Sequence, residues 1–461
     1  MTFEKCYRVG GFVRDTLLGL NPTDIDYVVI GESPDSMLSR GFSQVGGDFP
    51  VFLHPVTGEE YALARSEFST GAGYHDFLYE WEGVTLEQDL TRRDYTINAM
   101  ALTDDGELVD PLNGKKDLED GVLKHANDDA FMEDPLRILR GARFAAKYDF
   151  SVAPATMALM TLMTSKGMMK ALKGERIWKE TEKAMLTSNP RRYFEVLDEC
   201  GALKVVFPEL DMMKGIPQRA DYHAEGDVWI HTRMVLDEAV LLTEGYPDDR
   251  ALRIRMAALL HDLGKIKTPD ELLWNPDGSV RGQHHLHEHP SRFEGLLNNL
   301  AKRLTMPSYV RTFAHKCTVV HQDVHKISKS GPNGLENLYQ SLDLDRVLRT
   351  DKSFVSDVAV MCMADNFGRR ISNPDGTASR PEVYPQADVL VNAMAAISVI
   401  NPGEVFQASI ASQHARAKRM NHGVDTAKSI ENAKLAVKRA RRQAAKAFLK
   451  DMPETDFGPG R

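Results

Sequence analysis

Hydrophobic and polar positions alternate with a period of two in several runs of the first hundred residues, which is the pattern of half-buried β-strands. The clearest runs read YRVGG, DYVVI and EYALA, and glycine and proline residues separate them from helical stretches. We therefore expect an α+β protein whose N-terminal head contains a small mixed sheet.

After Asp117 the apolar positions recur every three to four residues, which is the period of an amphipathic helix. Consecutive helices are predicted in DPLRILRGARFAAK, ATMALMTLMTSKGMMKAL and ERIWKETEKAML. Turn-forming residues cluster near 215–227 and 371–386, and both segments are predicted to be linkers. A chain of 461 residues should form several domains. The predicted domains are a head at 1–125, a helical neck at 126–215, a histidine-rich helical domain at 225–370 and a helical basic region at 371–461.

The composition is that of a globular protein, with 42% hydrophobic and 27% charged residues. No apolar run approaches the roughly 18 residues that a membrane span needs, so no membrane role is expected. The first residues lack the basic, apolar and small-residue succession of a secretory signal, and a cytoplasmic location is predicted. The cysteines are scattered, which fits neither a disulfide framework nor a zinc ribbon.

The net charge of −9 argues against nucleic-acid binding unless positive charge is gathered in patches. One such patch, which we call the basic tail, is the segment from His414 to Lys450, with eleven lysines and arginines against two carboxylates. Its alanine-rich pattern predicts a helix. Two interpretations of the basic tail stay open, a solvated helix face and a contact to RNA.

A first candidate site begins with GGFVRD, residues 10–15, between a short strand and a helix. The two glycines allow a tight turn that offers N–H groups to an anion, and Arg14 adds positive charge. In the run TDIDYVV, alternation places Asp24 and Asp26 on one face of a strand. Paired carboxylates suit Mg²⁺, which binds through few carboxylates and through substrate phosphates. A solvent-facing strand with incidental acids is the alternative, and the glycine loop just upstream favours the metal site.

The paired aspartates predict nucleotidyl transfer by two Mg²⁺ ions, one activating a 3′-hydroxyl and one stabilising the departing pyrophosphate. Glu60, in the strand-like run EYALAR, is a candidate for a third ligand, although a lone strand glutamate is more often a surface residue.

A helix that reads the nucleotide base is predicted in EDPLRILRGAR, where acids and Pro135 open the first turn. Its polar arc is expected to carry Asp134, Arg137, Arg140 and Arg143. Cytosine and adenine both present an exocyclic amine beside a ring-nitrogen acceptor. Asp134 would accept from the amine and Arg137 would donate to the ring nitrogen, so this pair selects C and A over G and U without a template. Surface ion pairing along a helix is the alternative.

Several motifs in the first 210 residues resemble, in order and spacing, those of class II tRNA nucleotidyltransferases of the polymerase-β superfamily. The motifs are GGFVRDTLLG with DID, RRDYTINAMAL, DPLNG, EDPLRILRGARFAAK and GERIWKE. The resemblance implies that Asp24 and Asp26 are catalytic Mg²⁺ ligands, and that Asp134 and Arg137 select the base. It also implies contacts to ATP and CTP from Gly11, Arg14, Arg93, Arg140 and Arg143. Such enzymes often have proline where this chain has Gly174, a difference expected to matter little.

A second candidate site is predicted from His231, the pair His261-Asp262 and Asp365, whose order resembles that of HD-superfamily phosphohydrolases. Neighbouring His and Asp side chains can bind one divalent ion, with ligands from other helices completing the shell. Ni²⁺ and Mn²⁺ are the candidate ions, and His289 and His321 are candidates for a second metal. In related tRNA nucleotidyltransferases this domain is associated with phosphatase and 2′,3′-cyclic phosphodiesterase activity, which the resemblance implies for residues 225–370.

The predicted function is template-independent addition of CCA to tRNA from CTP and ATP, with a phosphohydrolase domain that repairs RNA 3′ ends. A poly(A) polymerase is the nearest alternative, because the same superfamily head serves both. An HD phosphohydrolase with an RNA-binding head would predict damaged carboxylates in that head, and a purely RNA-binding protein would require both metal patterns to be accidental. The expected partners are tRNA, CTP and ATP, the expected state is a monomer or a homodimer, and the basic tail is a hypothetical contact to the tRNA elbow.

Overall fold

The computed structural model describes residues 3–45, 51–69, 77–281, 289–419 and 425–452. The chain divides into two compact units, Met1–Pro208 and Glu209–Arg461, which we call the first unit and the second unit.

The first unit contains the predicted mixed sheet. Its strands are β1 (Cys6–Val9), β2 (Asp26–Val29), β3 (Ser43–Val45), β4 (Val51–Leu53), β5 (Glu60–Leu63), β6 (Ser66–Ser69), β7 (Phe77–Glu80), β8 (Ala101–Leu102), β9 (Leu108–Val109), β10 (Val122–Leu123) and β11 (Ser151–Val152). The main sheet has the order β3-β4-β5-β2-β1-β8-β9, in which β2 and β5 are parallel and the other neighbours are antiparallel. The α+β class predicted from the alternation is thereby confirmed.

The helices of the first unit are mostly short. They are α1 (Gly11–Leu17), α2 (Pro34–Ser39), α3 (Leu86–Thr91), α4 (Gly114–Glu119), α5 (Asp128–Glu133), α6 (Leu136–Tyr148), α7 (Pro154–Ser165), α8 (Gly174–Met185), α9 (Pro190–Glu199) and α10 (Ala202–Val206), with 3₁₀ turns at Thr96–Asn98 and Met168–Ala171. A further helix, α11 (Pro208–Asp211), begins at the last residue of this unit.

The two faces of the main sheet are covered by separate apolar clusters, because successive side chains along a strand point to opposite faces. On one face Val9 and Val28 pack with Leu86 and Leu90 of α3. On the other face Val29 and Leu63 pack with Met37, Phe42 and Phe52. Asp26 begins β2, two residues before Val28, and therefore lies at the end of the row that faces α3.

Helix α6 has the predicted apolar face, since Ile138, Leu139, Ala142, Ala145 and Ala146 are all fully buried. Its first turn differs from the prediction. Pro135 caps the helix, and Asp134 lies before it as the extended residue that ends α5. Asp134 therefore does not belong to the polar arc of α6, because residues 134 and 135 form a break between two helices.

The second unit is almost entirely helical. Its elements are α12 (Val228–Leu242), α13 (Asp248–Leu260), α14 (Asp270–Leu273), α15 (His289–Leu304), α16 (Ser308–His325), α17 (Pro332–Ser341), α18 (Leu344–Val347), α19 (Phe354–Gly368), β12 (Ile371–Ser372), β13 (Ala378–Ser379), α20 (Gln386–Ser398), α21 (Pro402–Arg419) and α22 (Thr426–Asp451), with 3₁₀ turns at Leu263–Lys267 and Ile327–Lys329. Helix α12 packs against α13 and α19, and α16 packs against the same two helices. These four helices enclose the second candidate site.

Within the described ranges, no single helix is long and apolar enough to cross a membrane; the pair α20 and α21, bent by 42°, satisfies only the requirements of length and composition.

Candidate active sites

A cavity of about 480 Å³ in the first unit gathers most of the residues predicted to bind nucleotide. Its walls contain eight arginines, Arg14, Arg65, Arg92, Arg93, Arg137, Arg140, Arg143 and Arg176. The acidic residues that share these walls are Asp26, Asp94, Glu133 and Asp134. Of the nine predicted residues of this first site, eight line the cavity, and Asp24 is the one that does not. The excess of guanidinium groups favours a polyanionic ligand such as a nucleoside triphosphate.

Asp26 lines this cavity, and two further carboxylates, those of Asp24 and Glu60, lie near enough to affect its charge. Asp26 opens β2 and is the strand partner of Glu60 on β5, while Asp24 lies in the loop just before β2. Desolvation raises the pKa of Asp26, and the negative charges of Asp24 and Glu60 raise it further. Asp26 and Glu60 also line an adjoining cavity of about 270 Å³. These carboxylates repel one another when ionised, and a bound divalent cation would offset that repulsion. The group is therefore suited to bind such a cation.

The glycine loop and Arg14 are held tightly together. Gly10 has a φ of +66°, which favours glycine, and a Cβ there would lie 3.1 Å from Nη1 of Arg93. The buried Arg14 donates from Nε to Asp15 at 2.8 Å and from Nη1 to Asn98 at 2.5 Å, and its guanidinium lies 5.0 Å from the Tyr148 ring centre. Arg14 therefore faces the cavity in one fixed orientation.

Two buried aspartates that sequence reasoning did not single out hold three of the other arginines. Asp89, on α3, is fully buried and accepts from Arg92 at 2.5 Å and from Arg93 at 3.0 Å. Asp94 accepts from Nε of Arg140 at 2.7 Å and from the Asn98 amide at 2.9 Å. Burial alone would raise the pKa of Asp94, but Arg140 and the Asn98 hydrogen bond lower it well below the ordinary range. The sequence contained one signal for Asp89, its spacing of three and four residues before the two arginines.

Both members of the predicted Asp134–Arg137 pair line the cavity, but their side chains bond to other groups and not to each other. Asp134 accepts from Nη2 of Arg176 at 2.7 Å and from the Leu136 amide at 3.0 Å. Arg137 donates to the backbone carbonyls of Arg92 and Arg93 at 2.9 and 3.0 Å. Each side chain keeps unused hydrogen-bonding capacity, because a carboxylate accepts about four bonds and a guanidinium donates five. Both groups can therefore still contact a base edge.

The second site brings together the four predicted residues of the histidine region. Nε2 of His231 lies 3.2 Å from Oδ1 of Asp365, and Nε2 of His261 lies 3.2 Å from Oδ2 of Asp262. The remaining cross distances are 3.9 Å from His231 to Asp262 and 3.8 Å from His261 to Asp365. All four side chains are at most 6% exposed. Two imidazoles and two carboxylates, carried by α12, by α19 and by the turn that follows α13, thus converge on one point.

The hydrogen bonding of His261 fits a metal ligand. Its Nδ1 donates to the carbonyl of Ala258 at 2.8 Å, while its buried Nε2 has no hydrogen-bond partner among the described residues. In the neutral ring the lone pair on Nε2 faces the carboxylates of Asp262 and Asp365, which is unfavourable unless a cation lies between them. Burial alone would lower the pKa of His261, but these two carboxylates raise it. The donor set therefore suits a divalent ion.

Further buried groups surround these four residues. Glu225 lies 2.9 Å from Nδ1 of His231 and 2.8 Å from Nδ1 of His223. Lys265 donates to Asp262 at 2.5 Å, and His325 lies 2.6 Å from Asp365. Sequence reasoning missed these groups, and the only signal for Lys265 was its place three residues after Asp262.

Of the two histidines predicted as candidates for a second metal, the structure describes the side chain of one. His321 is buried on α16, where its Nδ1 donates to the carbonyl of Thr318 at 2.9 Å and its ring centre lies 5.5 Å from that of His261. The side chain of His289 lies outside the described residues.

The basic tail covers the last turns of α21 and nearly all of α22, and its arginines differ in exposure. Arg439 is exposed on α22, whereas Arg441 is 2% exposed. Arg441 forms an ion pair with Asp345, and its guanidinium lies 4.8 Å from the Tyr339 ring centre. Arg441 thus belongs to the packing of the second unit and offers no free charge to RNA.

Comparison with protein families matches three segments of the chain. Residues 6–124 match the poly A polymerase head domain, residues 149–213 match the probable RNA and SrmB-binding site of polymerase A, and residues 228–315 match the HD domain.

Two curated relatives match nearly the whole chain. The multifunctional CCA protein of Paraburkholderia phymatum is 42% identical over 98% of this chain and 99% of its own length. The multifunctional CCA protein of Dechloromonas aromatica is 45% identical over 87% of this chain and 91% of its own.

Solved structures share the fold at lower identity. An apo CCA-adding enzyme superposes with a TM-score of 0.55 and 18% identity, covering 94% of this chain and 91% of that one. The Thermotoga maritima CCA-adding enzyme complexed with tRNA superposes with a TM-score of 0.52 and 18% identity, covering 97% of this chain and 91% of that one.

Proposed function

The chain belongs to the family of multifunctional CCA proteins, and on that premise we propose that it adds CCA to the 3′ end of tRNA and hydrolyses phosphate esters at a second, metal-dependent site. The single observation that carries the proposal is the cavity of the first unit, where eight arginines lie beside the carboxylate of Asp26. Positive walls bind a triphosphate, and the carboxylate end supplies metal ligands.

For the addition reaction, Asp24 and Asp26 are the proposed catalytic residues and ligands of Mg²⁺, with Glu60 as a third ligand. The metal, when bound, supplies activation of the 3′-hydroxyl and stabilisation of the pyrophosphate leaving group. Arg14, Arg93, Arg140 and Arg143 bind the triphosphate, and Gly11 leaves room for it beside Arg14. The arginines act as preorganised charges, because Asp89, Asp94 and Asp15 already hold three of them in place.

Base selection is assigned to Asp134 and Arg137. Asp134 accepts from the exocyclic amine shared by cytosine and adenine, and Arg137 donates to the neighbouring ring nitrogen. Arg176 and the carbonyls of Arg92 and Arg93 support this role, since they fix the two side chains before a nucleotide arrives.

For the second site, His231, His261, Asp262 and Asp365 are the proposed ligands of a divalent transition metal, with Ni²⁺ and Mn²⁺ as candidates. The ion, when bound, supplies an activated water for attack on phosphorus. The substrates in keeping with the HD match are phosphomonoesters and 2′,3′-cyclic phosphates at RNA ends. Lys265 neutralises part of the negative charge on Asp262.

The test is incubation of the purified chain and Mg²⁺ with tRNA that lacks its last three nucleotides. Each NTP is supplied alone and then CTP with ATP, and the products are sequenced. Two C residues followed by one A are expected. A long A tail on varied RNAs would favour a poly(A) polymerase, and no addition with active phosphate-ester hydrolysis would favour an HD phosphohydrolase whose head only binds RNA.

A further inference from the structure

Asp365, one of the four proposed ligands of the second site, has its two carboxylate oxygens in different surroundings. Oδ1 faces the metal-ligand group, 3.2 Å from Nε2 of His231. Oδ2 points the other way and lies 2.6 Å from Nε2 of His325 at the end of α16. Nδ1 of His325 in turn lies 2.7 Å from the hydroxyl of Tyr384, which is 7% exposed.

The protons in this chain of contacts can be assigned. A nitrogen–oxygen distance of 2.6 Å between an imidazole and a carboxylate requires a proton between the two atoms, so Nε2 of His325 carries hydrogen and donates to Asp365. In the neutral ring Nδ1 is then an acceptor, and Tyr384 donates to it. Tyr384 therefore selects the tautomer of His325 that can hold Asp365.

The surrounding charges fit this assignment. Arg369 lies beside both groups, with Nη2 at 3.4 Å from Nε2 of His325 and 3.8 Å from Oδ1 of Asp365. Both contacts are longer than the 2.6 Å bond, so Arg369 contributes charge while His325 sets the orientation. A metal-bound carboxylate with one oxygen held by a hydrogen-bond donor offers its other oxygen alone.

We propose that His325 and Tyr384 are positioning residues of the second site, which hold Oδ2 of Asp365 so that Oδ1 is presented to the metal ion. The inference rests on the proposed function of that site. It assigns roles to two residues outside the four predicted ligands, and both act through Asp365.

The experiment measures Ni²⁺ binding by equilibrium dialysis of the full chain carrying Asp24→Ala and Asp26→Ala, which removes the proposed ligands in the first unit. Three variants are compared in this background: His325→Leu, which removes the donor; His325→Gln, whose amide restores a donor at the Nε2 position; and Tyr384→Phe. Tyr222→Phe, at a tyrosine 51% exposed in the same unit, is the matched control. Circular dichroism melting confirms that each variant is folded.

His325→Leu should weaken Ni²⁺ binding about 10- to 100-fold, as is typical when a group that orients a ligand is lost. Tyr384→Phe should weaken it about fivefold, since one hydrogen bond contributes roughly 1 kcal/mol. His325→Gln should recover most of the loss in His325→Leu, and Tyr222→Phe should match the parent. Hydrolysis of a 2′,3′-cyclic nucleotide by the same variants at saturating Ni²⁺ should show a lower kcat at an unchanged KM.

Equal Ni²⁺ affinity in His325→Leu and the parent would overturn the proposal. So would the loss of one of two bound ions in both His325 variants, because His325 would then be a ligand itself. If the parent, which carries only the two aspartate substitutions, binds no Ni²⁺ at all, then the proposed metal site of the second unit is wrong, and so is the positioning role. That outcome differs from a failure of the positioning role alone, in which the parent binds Ni²⁺ and the His325 variants bind it equally well.

Discussion

Single charged residues in the first site are held by partners that have no contact with solvent. Asp89 is the clearest case, since one carboxylate with no exposed surface forms ion pairs with both Arg92 and Arg93. An unpaired buried charge is costly, so the three residues form one unit in which each loses its function without the others.

Replacing Asp89 with asparagine should destabilise the protein in a pH-dependent manner. Burial alone would raise the pKa of Asp89, but the charges of Arg92 and Arg93 lower it to about 2. A lowered pKa in the folded state means that the ionised carboxylate contributes stability above about pH 4, and that this contribution is lost as the pH falls toward 2. The loss in Asp89→Asn should be about 2 kcal/mol at pH 7 and smaller at pH 3, measured by urea unfolding.

The same variant should raise the KM for ATP in the addition assay, because Arg93 loses its orientation. Asp120→Asn is a suitable control, since Asp120 forms an exposed pair with Lys116 on α4 and its loss should not measurably change stability. An equal destabilisation by Asp89→Asn at pH 7 and pH 3 would show that the ionised carboxylate is not the source of the effect.

Gly141→Ala should distort the base-reading helix from a single position. A Cβ on Gly141 would lie 1.9 Å from the hydroxyl of Tyr95, which donates to the carbonyl of Arg137 at 2.8 Å. Overpacking of this kind costs about 1–3 kcal/mol, and the shift of Arg137 should weaken discrimination of CTP and ATP against UTP and GTP. Thermal unfolding and misincorporation assays measure the two effects.

The double variant Gly141→Ala with Tyr95→Phe tests whether the destabilisation by Gly141→Ala comes from the clash with the Tyr95 hydroxyl. Removal of the hydroxyl relieves the closest contact, so the two substitutions should be less destabilising together than the sum of their separate effects. Strict additivity would contradict the assigned clash.

At the scale of elements, the hydrophobic pattern predicted helices α6, α7 and α8 well, because each buries several of its apolar side chains. The same pattern gave a poorer prediction for segments in which a turn carries buried polar side chains. The segments near 215–227 and 371–386 were predicted to be linkers from their turn residues, yet they supply Glu225 and Tyr384 to the second site. Turn composition reports local backbone preference, whereas the contact of Tyr384 with His325 joins residues 59 positions apart. The position of Asp134 between two helices was also missed. The helical projection placed Asp134 on the polar arc of α6 because it assumed that α6 already includes residue 134.

The two arginines of the basic tail on α22 should give opposite results. Arg439→Glu changes an exposed charge, so the unfolding free energy should stay within about 0.5 kcal/mol. If the tail contacts RNA, tRNA affinity and its dependence on salt should both fall. Arg441→Glu breaks the buried pair with Asp345 and should cost about 3–5 kcal/mol. Filter binding of tRNA at several salt concentrations and urea unfolding measure both variants; unchanged binding by Arg439→Glu would favour the solvated-face interpretation.

At the scale of the whole molecule, two sets of proposed metal ligands are carried by two compact units. The first set, Asp24, Asp26 and Glu60, lies entirely within Met1–Pro208, and the second set, built on His231, His261, Asp262 and Asp365, lies within Glu209–Arg461. The donor types differ as well, since an all-carboxylate set suits Mg²⁺ and a mixed His and Asp set suits transition metals. The two reactions should therefore be separable both by mutation and by choice of ion.

Reciprocal variants test this separation. Asp26→Asn should lower CCA addition at least about 100-fold, because metal stabilisation of the transition state is worth several kcal/mol, and should leave hydrolysis of a 2′,3′-cyclic nucleotide unchanged. His261→Asn should lower that hydrolysis by a similar factor and leave addition unchanged. After removal of metals by a chelator, Mg²⁺ should restore addition, whereas Ni²⁺ or Mn²⁺ should be required for hydrolysis. Loss of both activities in either variant, with an unchanged melting temperature, would mean that the two sites depend on each other for function, although they share no ligand among the described residues.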